Sequence, residues 1–174
     1  MGMIYSLLGY ATQGRTDDPD PVTGLTSRDK YLIANSYLKV RKNPTESGVA
    51  LLNTLFKNHP EYLQLFPFRD VPIKDLPENK RYQAHGNSII YSFSSIIDAL
   101  DQNDLLVTIL TKIGESHVPR KATEKAFMDL KDSLIELFSP IFNEEEMTAW
   151  GKALDVSFTV MCKAIRDTLS KTQD

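Results

Sequence analysis

Apolar positions recur every three to four residues along most of this chain. No persuasive run of alternating apolar and polar residues is present, so the pattern is helical rather than stranded. The first clear start signal is Thr26-Ser27-Arg28-Asp29, in which a hydroxyl and a carboxylate can satisfy the first free amides of a helix reciprocally. Tyr31, Leu32, Asn35, Leu38 and Lys39 then share one face, and the segment ends before Pro44. A second helix is expected from about Thr45 to Lys57, with Val49, Leu52, Leu55 and Phe56 inward. His59-Pro60 opens a short helical turn through Leu65, followed by a loop holding Phe66, Pro67, Phe68 and Pro72. A long segment from about Pro77 to Leu100 places Tyr82, His85, Ile89, Phe93 and Ile96 on one stripe. Leu106, Leu110 and Ile113 lead at helical spacing to His117, where Pro119, lacking an amide proton, stops the helix. Two long helices close the chain, about Thr123 to Phe142 and Asn143 to Lys171. The second carries Glu144, Glu145 and Glu146 in its first turn, where the helix dipole favours carboxylates. The fold class is therefore all-α, with about seven to eight helices and no internal repeat or glycine-rich phosphate loop.

The N-terminal part reads differently. Met1 to Ala11 is mildly apolar, and Thr12 to Gly24 contains two Gly, two Pro and three Asp without helical periodicity, the composition of a linker. The expected organisation is a flexible extension over residues 1–25, a helical domain over 26–171 and a short tail over 172–174. A chain of 174 residues has enough length for one substantial core. Its net charge of −3, from 20 Lys+Arg and 23 Asp+Glu, gives no basic surface for nucleic acid. No run of about 18 apolar residues is present to span a membrane. Cys162 is the single cysteine, so no internal disulfide can form, and with no signal peptide the expected setting is reducing and cytoplasmic.

Three histidines limit where metal chemistry can sit: His59, His85 and His117. None belongs to a multi-ligand spacing such as His-x-x-x-His. His85 and His117 lie on two different expected helices, each punctuating an apolar stripe. Ile89 and Phe93 follow the first, whereas Leu110 and Ile113 precede the second. If those stripes face each other, they form a slot with one imidazole on each wall. A planar apolar macrocycle fits such a slot, and imidazole is a usual axial ligand for its iron. An isolated histidine on an apolar face is, however, ordinarily a hydrogen-bonded core residue, and spacing alone leaves both readings open. His59, directly before Pro60, reads as a surface or packing residue. Cys162 reads as packing in the last helix.

An ordered set of residues separates these readings. The run His59-Pro60-Glu61-Tyr62-Leu63-Gln64-Leu65-Phe66, then His85-Gly86, then His117 ten residues before Phe127, and finally Trp150 resembles the animal globins, most closely the neuroglobin and globin X types. The resemblance covers about Leu25 to Leu169. It implies a globin fold packed around one haem b, iron protoporphyrin IX, with the globin domain spanning 26–171. It also implies that His117 Nε2 bonds the iron while its Nδ1–H is held by a nearby backbone carbonyl, with that of Ile113 the expected one. His85 would hydrogen-bond a diatomic ligand or itself take the sixth iron position. Phe66 would stack on the porphyrin, Leu52, Ile89 and Phe93 would shape the distal pocket, and Ile113 and Phe127 would add further cofactor contacts. The chain departs from the family at Ser88, where many globins place a Lys or Arg near a haem propionate. Neutralisation would then fall to Lys112, Arg120 or solvent. Ala122 replaces a bulkier apolar residue, which loosens that side of the pocket.

The resemblance implies reversible binding of O2, CO or NO, with both histidines on the iron when no gas is present and a sensing, redox or NO/nitrite role. Plain five-coordinate oxygen storage or transport is the alternative, and a haem-free globin-like interaction domain is a third. No acid–base pair marks a dedicated enzyme, although NO dioxygenase or nitrite reductase turnover at the iron, served by a reductase, remains open to the cofactor. Met1-Gly2-Met3-Ile4-Tyr5-Ser6 also fits a myristoylation pattern at Gly2, and globin X types are similar in carrying an acylated N-terminus. One acyl chain binds membranes only marginally, and Asp17, Asp18 and Asp20 oppose an anionic surface. The expectation is a mainly soluble protein with weak, reversible membrane contact.

Overall fold

Thr26 starts the first helix as its side chain requires. Its Oγ1 accepts from the Asp29 amide at 3.0 Å, and Asp29 Oδ2 accepts from the Thr26 amide at 2.9 Å. The computed structural model describes residues 18–171, so the expected acylation site at Gly2 and the apolar stretch Met1–Ala11 lie outside the described residues. Within them are six α-helices: α1 (Ser27–Arg41), α2 (Pro44–Asn58), α3 (Lys80–Asp98), α4 (Asn103–His117), α5 (Glu124–Phe138) and α6 (Glu144–Lys171). Three short 3-10 helices, Pro60–Leu65, Ile73–Glu78 and Val118–Arg120, complete the elements, and no strand is present among the described residues.

Several helix ends differ from the periodic pattern for local chemical reasons. The expected start of α3 at Pro77 moves to Lys80. Pro77 belongs to the 3-10 turn, and the Asn79 side chain caps the α-helix by accepting from the amides of Arg81 and Tyr82. Helix α5 stops at Phe138 rather than Phe142, because Pro140 has no amide proton to continue the helical hydrogen bonds beyond Ser139. Asn143 and Glu146 then exchange reciprocal bonds of 2.9 Å at the start of α6.

The buried face of α1 is Ile33, Tyr37 and Val40, while Leu38, on the face that the spacing picked out, is 61% exposed. Spacing alone allows either face. Tertiary partners select the observed one: Trp150 Nε1 donates to Ser36 Oγ at 2.9 Å, and the Tyr37 hydroxyl donates to the Ile90 carbonyl. Trp150 lies parallel to Phe142 and packs against Phe138, so α1, α5 and α6 meet on one aromatic group.

The last residues of the expected linker are fixed to the helical domain. Asp20 accepts from the amides of Val22 and Thr23, each at 2.9 Å, and from Asn103 Nδ2 at the start of α4. Leu25 is buried in the main core, and Lys30 lies between Asp20 and Asp101. Burial alone would raise the Asp20 carboxyl, but the amides of Thr23 and Val22, Asn103 and the Lys30 charge bring it from 3.8 down to about 2. Because the folded value lies below the unfolded one, this contribution is complete above 3.8 and is lost as pH falls from there toward about 2. Asp20→Asn is therefore expected to cost on the order of 2 kcal/mol in urea denaturation at pH 7, with the difference shrinking as the pH falls below 4. An equal cost at both ends of that range would show that the carboxylate charge does not matter.

Two glycines permit close helix crossings. A Cβ at Gly48 of α2 would lie 2.1 Å from the Gly86 carbonyl carbon of α3, so the two backbones touch there. A Cβ at Gly114 of α4 would lie 2.5 Å from the Met161 carbonyl oxygen of α6. These crossings set two apolar groups apart. The larger joins α1 with α4, α5 and α6, and the smaller gathers Leu52, Leu55, Phe56, Leu63, Phe68, Leu76 and Tyr82. Ile89 and Leu130 pack against both groups and mark the space between them.

Candidate functional site

A cavity of about 400 Å³ opens between the two apolar groups. One side comes from α2, α3 and the Pro60–Leu65 turn, the other from α4, α5 and α6. All eight residues that the sequence reading grouped around one ligand line it: His85, His117, Leu52, Phe66, Ile89, Phe93, Ile113 and Phe127. Residues from α2, α3, α4, α5 and the loop after Leu65 are thus brought to one place, although they span much of the chain.

His117 is the last residue of α4, where Pro119 ends the regular helix. Its Nδ1 meets the Ile113 carbonyl at 2.7 Å and the Ser116 hydroxyl at 3.2 Å. A neutral ring that donates from Nδ1 to that carbonyl keeps a lone pair on Nε2. Phe127 packs edge-on against the imidazole, with ring centroids 5.1 Å apart, and fixes its plane. His85 comes from α3 on the other side of the cavity. Phe66 meets its ring edge-on at 5.1 Å, and Phe68 follows at 6.2 Å. Burial lowers the His85 pKa, and the nearby charges of His117 and Arg120 lower it further, so the ring is kept neutral and able to donate a lone pair. Phe66 itself stacks on Phe68, with planes 22° apart.

The donor set restricts what can bind. Among the described residues no group of three His, Cys, Asp or Glu could hold a bare metal ion. Two imidazoles on a largely apolar wall suit a metal whose remaining positions are supplied by a flat, apolar ring.

Other residues fall outside this place or were not legible as part of it. His59 Nδ1 lies 3.6 Å from Asp129 and 3.7 Å from Glu61, away from the cavity lining. Cys162 is buried, its thiol is pushed up by burial, and its Sγ lies 3.8 Å from the Glu124 carbonyl. Lys112 is exposed and does not line the cavity, whereas Arg120 does. Tyr62, Ala126, Leu130, Phe158 and Met161 also form the wall. The apolar ones sit at helical spacing in α5 and α6, which reads as ordinary core. Tyr62 carries its hydroxyl to Asp129 at 2.5 Å, a long-range pairing with no sequence signal.

A family model described as Globin matches residues 49–161, which include both cavity histidines. The chain belongs to the globin family. Among solved structures, this globin is similar to the hexa-coordinate haemoglobin of Drosophila melanogaster studied for cyanide binding and haem-cavity transitions. The two are 32% identical with a TM-score of 0.75, over 79% of this chain and 93% of the other. Among curated relatives, the extracellular globin-E1 of Artemia sp. is 32% identical over 75% of this chain and 66% of that protein. Cytoglobin-1 of Oryzias latipes is 24% identical over 88% and 89%. As a globin the protein binds haem, and its ligands are diatomic gases such as O2. The all-α fold expected from periodicity is the one found. None of these three relatives is a neuroglobin or globin X, so likeness to those types still rests on residue register alone. No helix among the described residues is long and apolar enough to cross a membrane.

Proposed function

We propose that His117 and His85 hold the iron of one haem b from its two faces, and that a diatomic gas binds by displacing His85. The observation carrying this reading is that both imidazoles line one apolar cavity, with His117 Nδ1 committed to the Ile113 carbonyl. Haem supplies an iron that binds gas and exchanges electrons; the chain supplies the surroundings. The Ile113 carbonyl orients the His117 ring and makes Nε2 a better donor. Leu52, Ile89, Phe93, Ile113 and Phe127 exclude water from the two faces. Phe66 lies beside His85 and limits the positions that ring can reach.

A site closed by its own histidine binds gas with an affinity reduced by the fraction of time the site is open. That behaviour suits sensing, redox or NO/nitrite chemistry better than bulk oxygen storage. The hexa-coordinate character of the similar Drosophila protein supports the same direction. The globin domain is read as 26–171. Association with a membrane through an acylated Gly2 and service by a reductase belong to this reading as subsidiary proposals; an unmodified Gly2 in the intact mass of native protein would remove the first.

His85→Leu is the direct test of the closed state. Leucine keeps the apolar packing on Phe66 but removes the donor, so the reduced protein is expected to become five-coordinate. Its apparent CO affinity should rise by about tenfold or more, the inverse of the open fraction in the parent. Unchanged affinity and an unchanged reduced spectrum would mean that His85 does not occupy the iron.

A further inference from the structure

A single side chain, Tyr62, runs from the cavity to a cluster of charged groups outside it. Its ring belongs to the cavity lining, but its hydroxyl donates at 2.5 Å to Oδ2 of Asp129, which does not line the cavity. The same oxygen accepts from Lys125 Nζ at 2.5 Å and lies 3.6 Å from His59 Nδ1. Lys125 is exposed and the Asp129 side chain is 14% exposed, so water reaches this cluster. Burial would raise the Asp129 carboxyl, but Lys125, Tyr62 and His59 bring it below its ordinary value. The Tyr62 hydroxyl is therefore bonded to a charged acceptor, the stronger kind of hydrogen bond.

The element that carries Tyr62 is built to move more easily than its neighbours. The Pro60–Leu65 turn is a 3-10 helix, whose backbone bonds are poorer than those of an α-helix, and it ends in extended backbone at Phe66. The end of α2 just before it is pinned: Glu136 of α5 accepts from Asn58 Nδ2 at 2.6 Å and from Lys57 Nζ at 3.4 Å. Beyond that point Asp129 holds the turn to α5 through side chains. The residues beside this link are apolar and line the cavity: Leu65 in the turn, and Ala126 and Leu130 next to Lys125 and Asp129 in α5. A gap between turn and α5 would admit a small uncharged molecule and oppose an ion, which keeps its charge in water.

We propose that Tyr62 gates a route for diatomic gas between the Pro60–Leu65 turn and α5, with Asp129 as its latch. When the hydroxyl leaves Asp129, the ring swings off the wall and joins the cavity to solvent. Passage and capture are then controlled separately. Tyr62 sets how fast gas reaches the cavity, and His85 sets whether the iron is open to it. The inference rests on the reading above, in which gas binds a haem held in this cavity.

The test is laser photolysis of the CO complex in His85→Leu, which removes competition from that imidazole, with and without Tyr62→Phe. Phenylalanine keeps the ring and drops the hydroxyl. CO association is expected to rise roughly fivefold, the scale of losing one hydrogen bond to a charged group. Dissociation should rise by the same factor and leave the affinity unchanged, because a gate acts equally on entry and escape. Asp129→Asn, which leaves Tyr62 in place and removes the charge, should give a smaller rise of the same kind. Unchanged association in both variants would overturn the proposal. Faster association with unchanged dissociation would overturn it too, because Tyr62 would then act on the bound gas and not on its passage. A reduced chain that formed no CO complex, even after addition of haemin, would remove the haem reading itself, a result distinct from the other two.

Discussion

His117→Gly is expected to lose haem at least about 100-fold faster than the parent, with added imidazole restoring much of the retention. Changes to outer groups that merely orient a metal-bound histidine cost about 10- to 100-fold in affinity, and deleting the donor itself should exceed that. The structure explains why rescue should work. Phe127 and Ile113 form a slot for the ring that glycine leaves open, and the Ile113 carbonyl remains to accept from the Nδ1–H of a free imidazole. His85 still reaches the cavity in this variant, so some haem is held, but only from the α3 side. Haem loss measured by transfer to an acceptor apoprotein, with and without imidazole, decides the matter. Retention equal to that of the parent without imidazole would mean that His117 is not the principal iron donor.

The second large effect concerns packing rather than ligation. Gly48→Val is expected to destabilise the fold by about 3 kcal/mol and to disturb the haem spectrum, although the residue does not line the cavity. A Cβ at Gly48 would sit 2.1 Å from the backbone of Gly86, which cannot swing aside as a flexible side chain can. Helices α2 and α3 must move apart, and His85, next to Gly86 in the chain, moves with α3. Gly151→Ala in α6 is the matched control. Nothing lies within 4 Å of a Cβ at Gly151, so this change should be neutral or stabilise by up to about 1 kcal/mol through helix propensity. Thermal or urea denaturation of the two variants separates steric conflict from a general intolerance of change at glycine. Equal, small effects would mean that the close crossing is not needed.

The contrast between these glycines shows where the sequence was readable. Local chemistry was legible: the Thr26–Asp29 capping box, the helix ending at His117 before Pro119 and the acidic start of α6 all depend on neighbours in the chain. The apolar stripe on α3 was legible too: Tyr82, His85, Ile89, Phe93 and Ile96 recur at helical spacing, and all but Tyr82, which is buried in the smaller apolar group, line the cavity. The inner face of α1 was not, since Leu38 and Tyr37 are both apolar and only contacts with Trp150 and Ile90 choose between them. Nor could the linker composition of 12–24 reveal that Asp20 binds Asn103, which lies 83 residues away in the chain. Arg120 and Lys112 were equivalent candidates by composition. Their difference is geometric: one lies in a turn fixed beside the cavity and the other on the solvent side of α4.

The absorption spectrum of the purified protein, first ferric and then dithionite-reduced under nitrogen, tests the central claim that His85 and His117 clasp one haem iron. Sharp, split visible bands in the reduced form are the predicted result, and they should give way to a single broad band in His85→Leu. A single broad band in the unmodified reduced protein would contradict closure by His85, and the absence of any haem band, even after addition of haemin, would contradict the account as a whole.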